Sequence, residues 1–164
     1  MAIRDPVKER RLLAVKNLDV LLNYARDTIK GRWPEAEPHI VKHPVNAYNY
    51  ARYVIKGRWP EAEPHIIQDP QLAAFYASLI LKGRWPEAEP TIIKHPCWAF
   101  YYAAQVIKDR WPEAEQYIKR TPYWGNYVEF LETIGLDIDV WSVEDENDWE
   151  LDRLACDVED AWDV

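Results

Sequence analysis

Apolar side chains recur at the spacing of one helix face over residues 44–56, and the same arrangement returns every 26 residues. In this copy the face consists of Ala47, Tyr50, Ala51, Val54 and Ile55. The spacing predicts a helix of about three turns, called helix A here, with Pro44 at its first position, where a missing N–H costs nothing. Gly57 is predicted to end this helix, and Gly31 and Gly83 to end its neighbours.

A second short helix, called helix B, is predicted to begin at Pro60. Its apolar face consists of Ala62, Ile66 and Ile67. Glu61 and Glu63 place carboxylates near the positive end of the helix dipole. Pro64 removes one backbone hydrogen bond early in the helix, so we expect a kink or a tight first turn there. Gln116 replaces this proline in the fourth copy.

The connection between the two helices carries the sequence Arg-Trp-Pro-Glu-Ala-Glu in every copy. It occurs at Arg32–Glu37, Arg58–Glu63, Arg84–Glu89 and Arg110–Glu115. A helix pair this short cannot bury its own apolar face, so neighbouring copies must stack on one another. The predicted fold class is therefore all-α, an α-solenoid of about four to five helix-pair repeats of 26 residues with an acidic C-terminal helix.

Three regions follow from this pattern. Residues 1–16 are predicted to form an N-terminal capping helix, residues 17–136 the helical repeat array, and residues 137–164 an acidic C-terminal segment that contains tryptophan. Within that segment an acidic amphipathic helix is predicted over residues 143–161, because its apolar positions recur roughly at helical spacing.

Charge separates the last region from the other two. The whole chain has a net charge of -8, and residues 137–164 hold twelve acids and one base, Arg153, a net charge of -11. Residues 1–136 therefore sum to +3. No run approaches the ~20 apolar residues of a membrane span, and no apolar core of a signal peptide follows Met1. We expect a soluble, cytoplasmic protein with no membrane contact.

The repeated polar residues resemble a catalytic array only superficially. A catalytic centre needs one convergent pocket, whereas this motif occurs four times. We expect each Arg to pair with a carboxylate at the start of helix B or to stack on Trp, and the tryptophans to be core residues. His39 and His43 are four residues apart, but Pro44 follows and no other ligand motif accompanies them. No catalytic residue, metal site or cofactor is predicted, and the protein is not expected to be an enzyme.

Two sets of residues are candidates for binding a partner. The first set lies in the acidic segment and consists of Asp145, Glu146, Asp148, Trp149, Asp152, Asp157, Glu159, Asp160 and Trp162. Its carboxylates can imitate a row of phosphates, and its tryptophans can act as interface anchors. The second set is a candidate groove on helix A, where the tyrosines differ between copies: Tyr48, Tyr53, Tyr101 and Tyr123.

The repeat Y-A-R-x-x-I-K-G-R-W-P-E-A-E-P-x-I resembles tandem short-helix repeats in uncharacterised proteins of tailed bacteriophages and their bacterial hosts. The resemblance covers residues 17–134. It implies an all-α solenoid and a phage or mobile-element setting, which would place the protein in the host cytoplasm. It implies no activity and no functional residues.

The leading hypothesis is a phage-encoded inhibitor of a host defence complex, similar in role to an anti-CRISPR protein, or of a nucleic-acid-processing complex. Its partner would be a protein with a basic, nucleic-acid-binding surface, which the acidic C-terminus occupies as a nucleic-acid mimic. One alternative is a scaffold or assembly protein that binds a peptide or subunit in the repeat groove. Direct binding of RNA or DNA by the repeats is a further alternative, and it is disfavoured.

Overall fold

The computed structural model describes residues 4–136, which form helices and no strand. The helices are α1 (Pro6–Val15), α2 (Leu18–Asn23), α3 (Glu37–Ile40), α4 (Pro44–Tyr50), α5 (Glu63–Ile66), α6 (Pro70–Phe75), α7 (Glu89–Ile92), α8 (Pro96–Tyr102), α9 (Pro112–Ile118) and α10 (Tyr123–Thr133). Four π-helical segments directly continue α2, α4, α6 and α8: Tyr24–Ile29, Ala51–Ile55, Tyr76–Leu81 and Ala103–Ile107. The all-α prediction is confirmed for this part of the chain.

Helix A is present in each copy, but the glycine does not end it. The residue that takes the left-handed conformation is the lysine before the glycine, with φ of 57° at Lys56 and 54° at Lys82. The Lys56 N–H bonds to the Ala51 carbonyl, and the Gly57 N–H bonds to the same oxygen at 3.2 Å. Gly57 itself does not have a positive φ. The prediction of Gly31, Gly57 and Gly83 as helix stops is therefore wrong, because the turn happens one residue earlier.

Helix B begins one turn later than predicted. The segment Pro60-Glu61-Ala62 forms a tight turn in which the Ala62 N–H bonds to the Trp59 carbonyl at 3.0 Å, and α5 starts only at Glu63. The reason is Pro64, which cannot donate the bond that would join this turn to the helix. In the fourth copy, where Gln116 has an N–H, α9 runs without interruption from Pro112 to Ile118. The expected tight first turn is confirmed.

The tryptophans of the four connections lie in the core. Trp33, Trp59, Trp85 and Trp111 are between 0% and 3% exposed. The isoleucines of helix B are fully buried as well: Ile40, Ile66, Ile92 and Ile118. Equivalent helices of successive copies contact one another, α2 with α4, α4 with α6, α6 with α8 and α8 with α10. One apolar core therefore runs through all copies.

Different local interactions are found at the two ends of the described chain. At the start, the Arg4 guanidinium bonds to both oxygens of Glu9, at 3.0 and 2.9 Å, and lies 3.6 Å from the Glu35 carboxylate. At the other end, α10 ends at Thr133, and Gly135, two residues later, has a positive φ of 81°. The acidic helix predicted over residues 143–161 lies outside the described residues.

Candidate partner-binding surfaces

One hydrogen-bonded network closes the connection in each copy. In the second copy, Arg58 Nε donates to Glu63 Oε1 at 2.6 Å and Arg58 Nη2 donates to Glu63 Oε2 at 2.9 Å. The Trp59 backbone N–H donates to the Tyr76 hydroxyl at 2.7 Å, and that hydroxyl donates to Glu63 Oε1 at 3.2 Å. The tyrosine belongs to the next copy, so the network joins neighbouring copies to each other.

We call these four residues the connection network, and they recur in all copies. The other sets are Arg32, Trp33, Glu37 and Tyr50; Arg84, Trp85, Glu89 and Tyr102; and Arg110, Trp111, Glu115 and Tyr127. The expected pairing of each Arg with a carboxylate at the start of helix B is confirmed. The partner is the second glutamate of the motif, five residues after the Arg. It is the first residue of helix B in the first three copies and lies in the first turn of α9 in the fourth.

Sequence reasoning missed the tyrosine of this network. Tyr76 corresponds to Tyr50 on the predicted apolar face of helix A, and its hydroxyl accepts the N–H of a tryptophan seventeen residues earlier. The signal was present: in the first three copies the intervals from Arg to Glu and from Trp to Tyr are constant. In the fourth copy the second interval is sixteen residues, because Tyr127 supplies the hydroxyl.

Burial keeps the network tyrosines neutral. It raises the pKa of Tyr76 and of Tyr127 to about 12, although the hydrogen bond from the tryptophan N–H acts in the opposite direction. The pKa of Tyr50 is raised for the same reason. The hydrogen bonds from the Arg32 guanidinium lower the pKa of Glu37. These groups are therefore fixed in one protonation state at neutral pH, as suits a structural network and not proton transfer.

A second group of side chains lies on helix A and differs between copies. We call it the A-helix face, and it consists of Tyr48, Arg52, Tyr53, Phe75, Ser78, Leu79, Trp98 and Tyr101. The Phe75 ring centroid lies 5.3 Å from that of Trp98 and 5.3 Å from that of Tyr101, in edge-to-face geometry. The Ser78 and Tyr101 hydroxyls are 3.1 Å apart. Aromatic side chains of α6 and α8 thus form one continuous cluster.

On α4 and the π-helical segment that continues it, one guanidinium contacts both tyrosines of the face. Arg52 lies 5.0 Å from the centroid of the Tyr53 ring and donates to the Tyr48 hydroxyl at 3.1 Å. Tyr53 is 37% exposed, as the groove prediction requires, whereas Tyr48 is only 5% exposed and its pKa is raised by burial. Arg52 therefore joins Tyr48 and Tyr53. Tyr101, in contrast, belongs to the aromatic cluster on α6 and α8.

Tyr123, the fourth candidate, begins α10 and is packed against the core of the array. It is half-buried. Tyr123 therefore belongs to the last helix, whereas the aromatic cluster lies on α6 and α8.

The three central helix A segments carry charge of one sign. Residues 44–56, 70–82 and 96–108 contain no aspartate or glutamate, whereas the first helix A has Asp19 and Asp27 and α10 has Glu129 and Glu132. The three segments contain four cations, Arg52, Lys56, Lys82 and Lys108, and the three lysines are exposed. The four glutamates of the connection network lie on helix B of the four copies.

A shallow cleft of about 460 Å³ lies between the second and third connections. Its lining residues are Arg58, Ile80, Leu81, Arg84, Trp85, Pro86 and Glu87. Both arginines are already paired, Arg58 with Glu63 and Arg84 with Glu89, so neither is an unsatisfied cation awaiting a ligand.

Among residues 4–136 no three His, Cys, Asp or Glu side chains are grouped so that they could hold a metal ion, and His39 and His43 take part in no such group. In the same part of the chain no helix has the length and apolar character that crossing a membrane requires.

The acidic candidate residues all lie outside the described residues: Asp145, Glu146, Asp148, Trp149, Asp152, Asp157, Glu159, Asp160 and Trp162.

The chain matches no protein-family model, and neither a curated protein nor a solved structure resembles it significantly.

Proposed function

We propose that this chain is a non-enzymatic binding protein whose acidic segment, residues 137–164, occupies the basic, nucleic-acid-binding surface of a protein partner. The observation that carries the proposal is the separation of charge, -11 in this segment against +3 in residues 1–136. Rows of carboxylates attract the same cationic surfaces that phosphates do, and they speed association with them.

The internal use of the other carboxylates supports this assignment. Glu37, Glu63, Glu89 and Glu115 are engaged by arginines and are at most 16% exposed at the side chain. They are therefore poorly placed to meet a partner. Residues 137–164 contain twelve acids and only one base, so acids are in large excess in this segment.

The repeat array acts in this proposal as a rigid carrier. We infer that its copies stack as an α-solenoid, which the contacts between equivalent helices and the shared connection network support. The most specific form of the hypothesis is a phage-encoded inhibitor of a host defence or nucleic-acid-processing complex. That form derives from the resemblance of the repeats to phage proteins.

The experiment is capture of partners from the natural host by the full chain, compared with a charge-reversed variant. In the variant, Asp145, Glu146, Asp152 and Asp157 are each changed to Lys. The matched control reverses four exposed glutamates of the array that lie outside the network: Glu35, Glu61, Glu87 and Glu113.

The proposal expects the tail variant to lose the partner and the array variant to retain it, with binding that weakens as salt is raised. Mass spectrometry would identify the retained protein, and circular dichroism would show that both variants are equally helical. A partner that binds the tail variant with unchanged affinity would remove the acidic segment from the mechanism.

The second candidate function is a scaffold that binds a peptide or subunit on the A-helix face. The aromatic cluster of Phe75, Trp98 and Tyr101 beside exposed Tyr53 favours it. This candidate forecasts the opposite pattern: substitution of Tyr53 abolishes capture, and reversal of the tail charges is silent.

A further inference from the structure

The A-helix face has three properties that together define the kind of segment it fits. It is aromatic and it carries cations. The three helix A segments that form it, residues 44–56, 70–82 and 96–108, contain no carboxylate. Apolar side chains are also exposed on these helices, with Val45 at 56%, Tyr53 at 37% and Leu79 at 43%. Such a surface attracts a segment that combines negative charge with apolar side chains.

The chain contains a segment of this composition. Residues 137–164 have twelve acids and one base, together with Trp141, Trp149 and Trp162. Tryptophan side chains are frequent anchors in pockets lined by other aromatic residues. Charge and apolar character are thus complementary between the segment and the face.

The point where the segment starts is also favourable. It follows Leu136, just after α10, and α10 packs on α8, the helix that carries Trp98 and Tyr101. Neighbouring helices are about 8–10 Å apart, so α4 lies roughly 30 Å from α10 across α8 and α6. The 28 residues of the segment span about 40 Å as a helix and about 90 Å when extended. In either form it can cover the whole face.

We propose that residues 137–164 dock on the A-helix face of the same chain and cover it until the basic surface of a partner withdraws them. The docking depends on charge, composition and reach. The withdrawal step alone rests on the proposed function.

The docking can be tested on the full chain without any partner. A carbodiimide joins a carboxylate to a lysine amine only when the two are in contact, with loss of one water molecule. We expect cross-links from residues 137–164 to Lys56 and Lys82 in several-fold excess over cross-links to Lys8 and Lys16, which are exposed too but belong to α1 and its end. Equal yields at the two pairs of lysines would overturn the proposal.

Two acids placed on the face should repel the segment. In the variant Tyr53→Glu with Leu79→Glu both changes are at exposed positions, so the fold is expected to be retained. Cross-links to Lys56 and Lys82 should fall several-fold. The matched control is Val7→Glu with Val15→Glu, at positions 61% and 73% exposed on α1, which should leave the cross-links as in the parent.

Two further results would count against the docking. Cross-links that join isotopically labelled to unlabelled chains would show that the segment binds a second copy. The second result would be a single-stranded oligonucleotide that binds the parent but not the Tyr53→Glu, Leu79→Glu variant, and that leaves the cross-links of the parent unchanged when it binds. It would assign the face to nucleic acid. Partner capture is measured separately, so failure of the docking and failure of the proposed function are distinguishable.

Discussion

The connection between helix A and helix B is the same in all four copies, whereas the outer face of helix A changes from copy to copy. The residues that recur, such as Trp59 and Glu63, are buried or bonded within the chain. The residues of one column, of which the first three are exposed and the fourth is half-buried, differ in kind: Asp27, Tyr53, Leu79 and Gln105. Repetition within this chain therefore marks what holds the array together, and variation marks what is available for recognition.

The largest test of this comparison concerns one tryptophan. Trp59 is 2% exposed, and its ring lies 5.1 Å from that of Tyr50. Trp59→Ala should lower the free energy of unfolding by about 3–5 kcal/mol, because it leaves a large cavity in the core. Tyr53→Ala, on the variable face, should change it by less than about 1 kcal/mol. Denaturant unfolding measures both, and similar losses at the two positions would break the comparison.

A second test removes single hydroxyl groups. Tyr76→Phe leaves the buried Trp59 N–H without its acceptor, which should destabilise the fold by about 1–3 kcal/mol. The matched variant Tyr101→Phe removes a hydroxyl whose partner is the half-buried Ser78, so a smaller loss is expected. If Tyr101→Phe proved the more damaging change in denaturant unfolding, the variable face would be part of what holds the array together.

The Tyr76 hydroxyl should make the stability of the fold depend on pH. The pKa of Tyr76 is raised from 10.0 to about 12 in the folded chain. The folded state therefore holds the proton more tightly, and the stability from this source is complete below pH 10 and is lost as the pH rises towards 12. Between pH 8 and pH 11 the parent should lose roughly 1 kcal/mol more than Tyr76→Phe does. Unfolding measured at both pH values, with absorbance of tyrosinate as a check, gives the difference.

An identical loss in the two proteins would contradict burial of the Tyr76 hydroxyl. All other titratable groups are the same in the parent and the variant. Their contributions therefore cancel in the comparison.

Much of the fold could be predicted, because the 26-residue period exposes which positions share an environment. Trp59 and Ile66 were correctly placed in the core, and Pro64 correctly predicted a tight first turn. The bond between Trp59 and Tyr76 could not be derived, since it depends on how one copy sits against the next. The π-helical ends of helix A could not be derived either, because an extra residue per turn leaves no simple sequence signature.

The candidate site was predictable only in part. Periodicity placed Tyr48, Tyr53 and Tyr101 on helix A, and the structure joins the first two through Arg52 and packs Tyr101 against Phe75. It did not reveal that Tyr48 is covered, since burial on an outer face depends on the side chains of the neighbouring helices. The acidic residues such as Asp145 remain a prediction, because they lie outside the described residues.

The smallest expected effect concerns the end of helix A, where the sequence and the structure disagree. Lys56 has φ of 57°, a conformation that costs an ordinary residue about 1 kcal/mol and glycine little. Lys56→Gly should therefore raise the free energy of unfolding by up to about 1 kcal/mol. Gly57 does not have a positive φ, and a Cβ there would meet no atom within 4 Å. Gly57→Ala should consequently stabilise the fold by about 0.4–1 kcal/mol, because it restricts the unfolded chain. If Gly57 ended the helix, the reverse would be expected: Gly57→Ala would lower the free energy of unfolding, and Lys56→Gly would not raise it. Urea unfolding of the two variants and their combination decides between the two assignments, and a destabilised Gly57→Ala would show that the left-handed residue is the glycine after all.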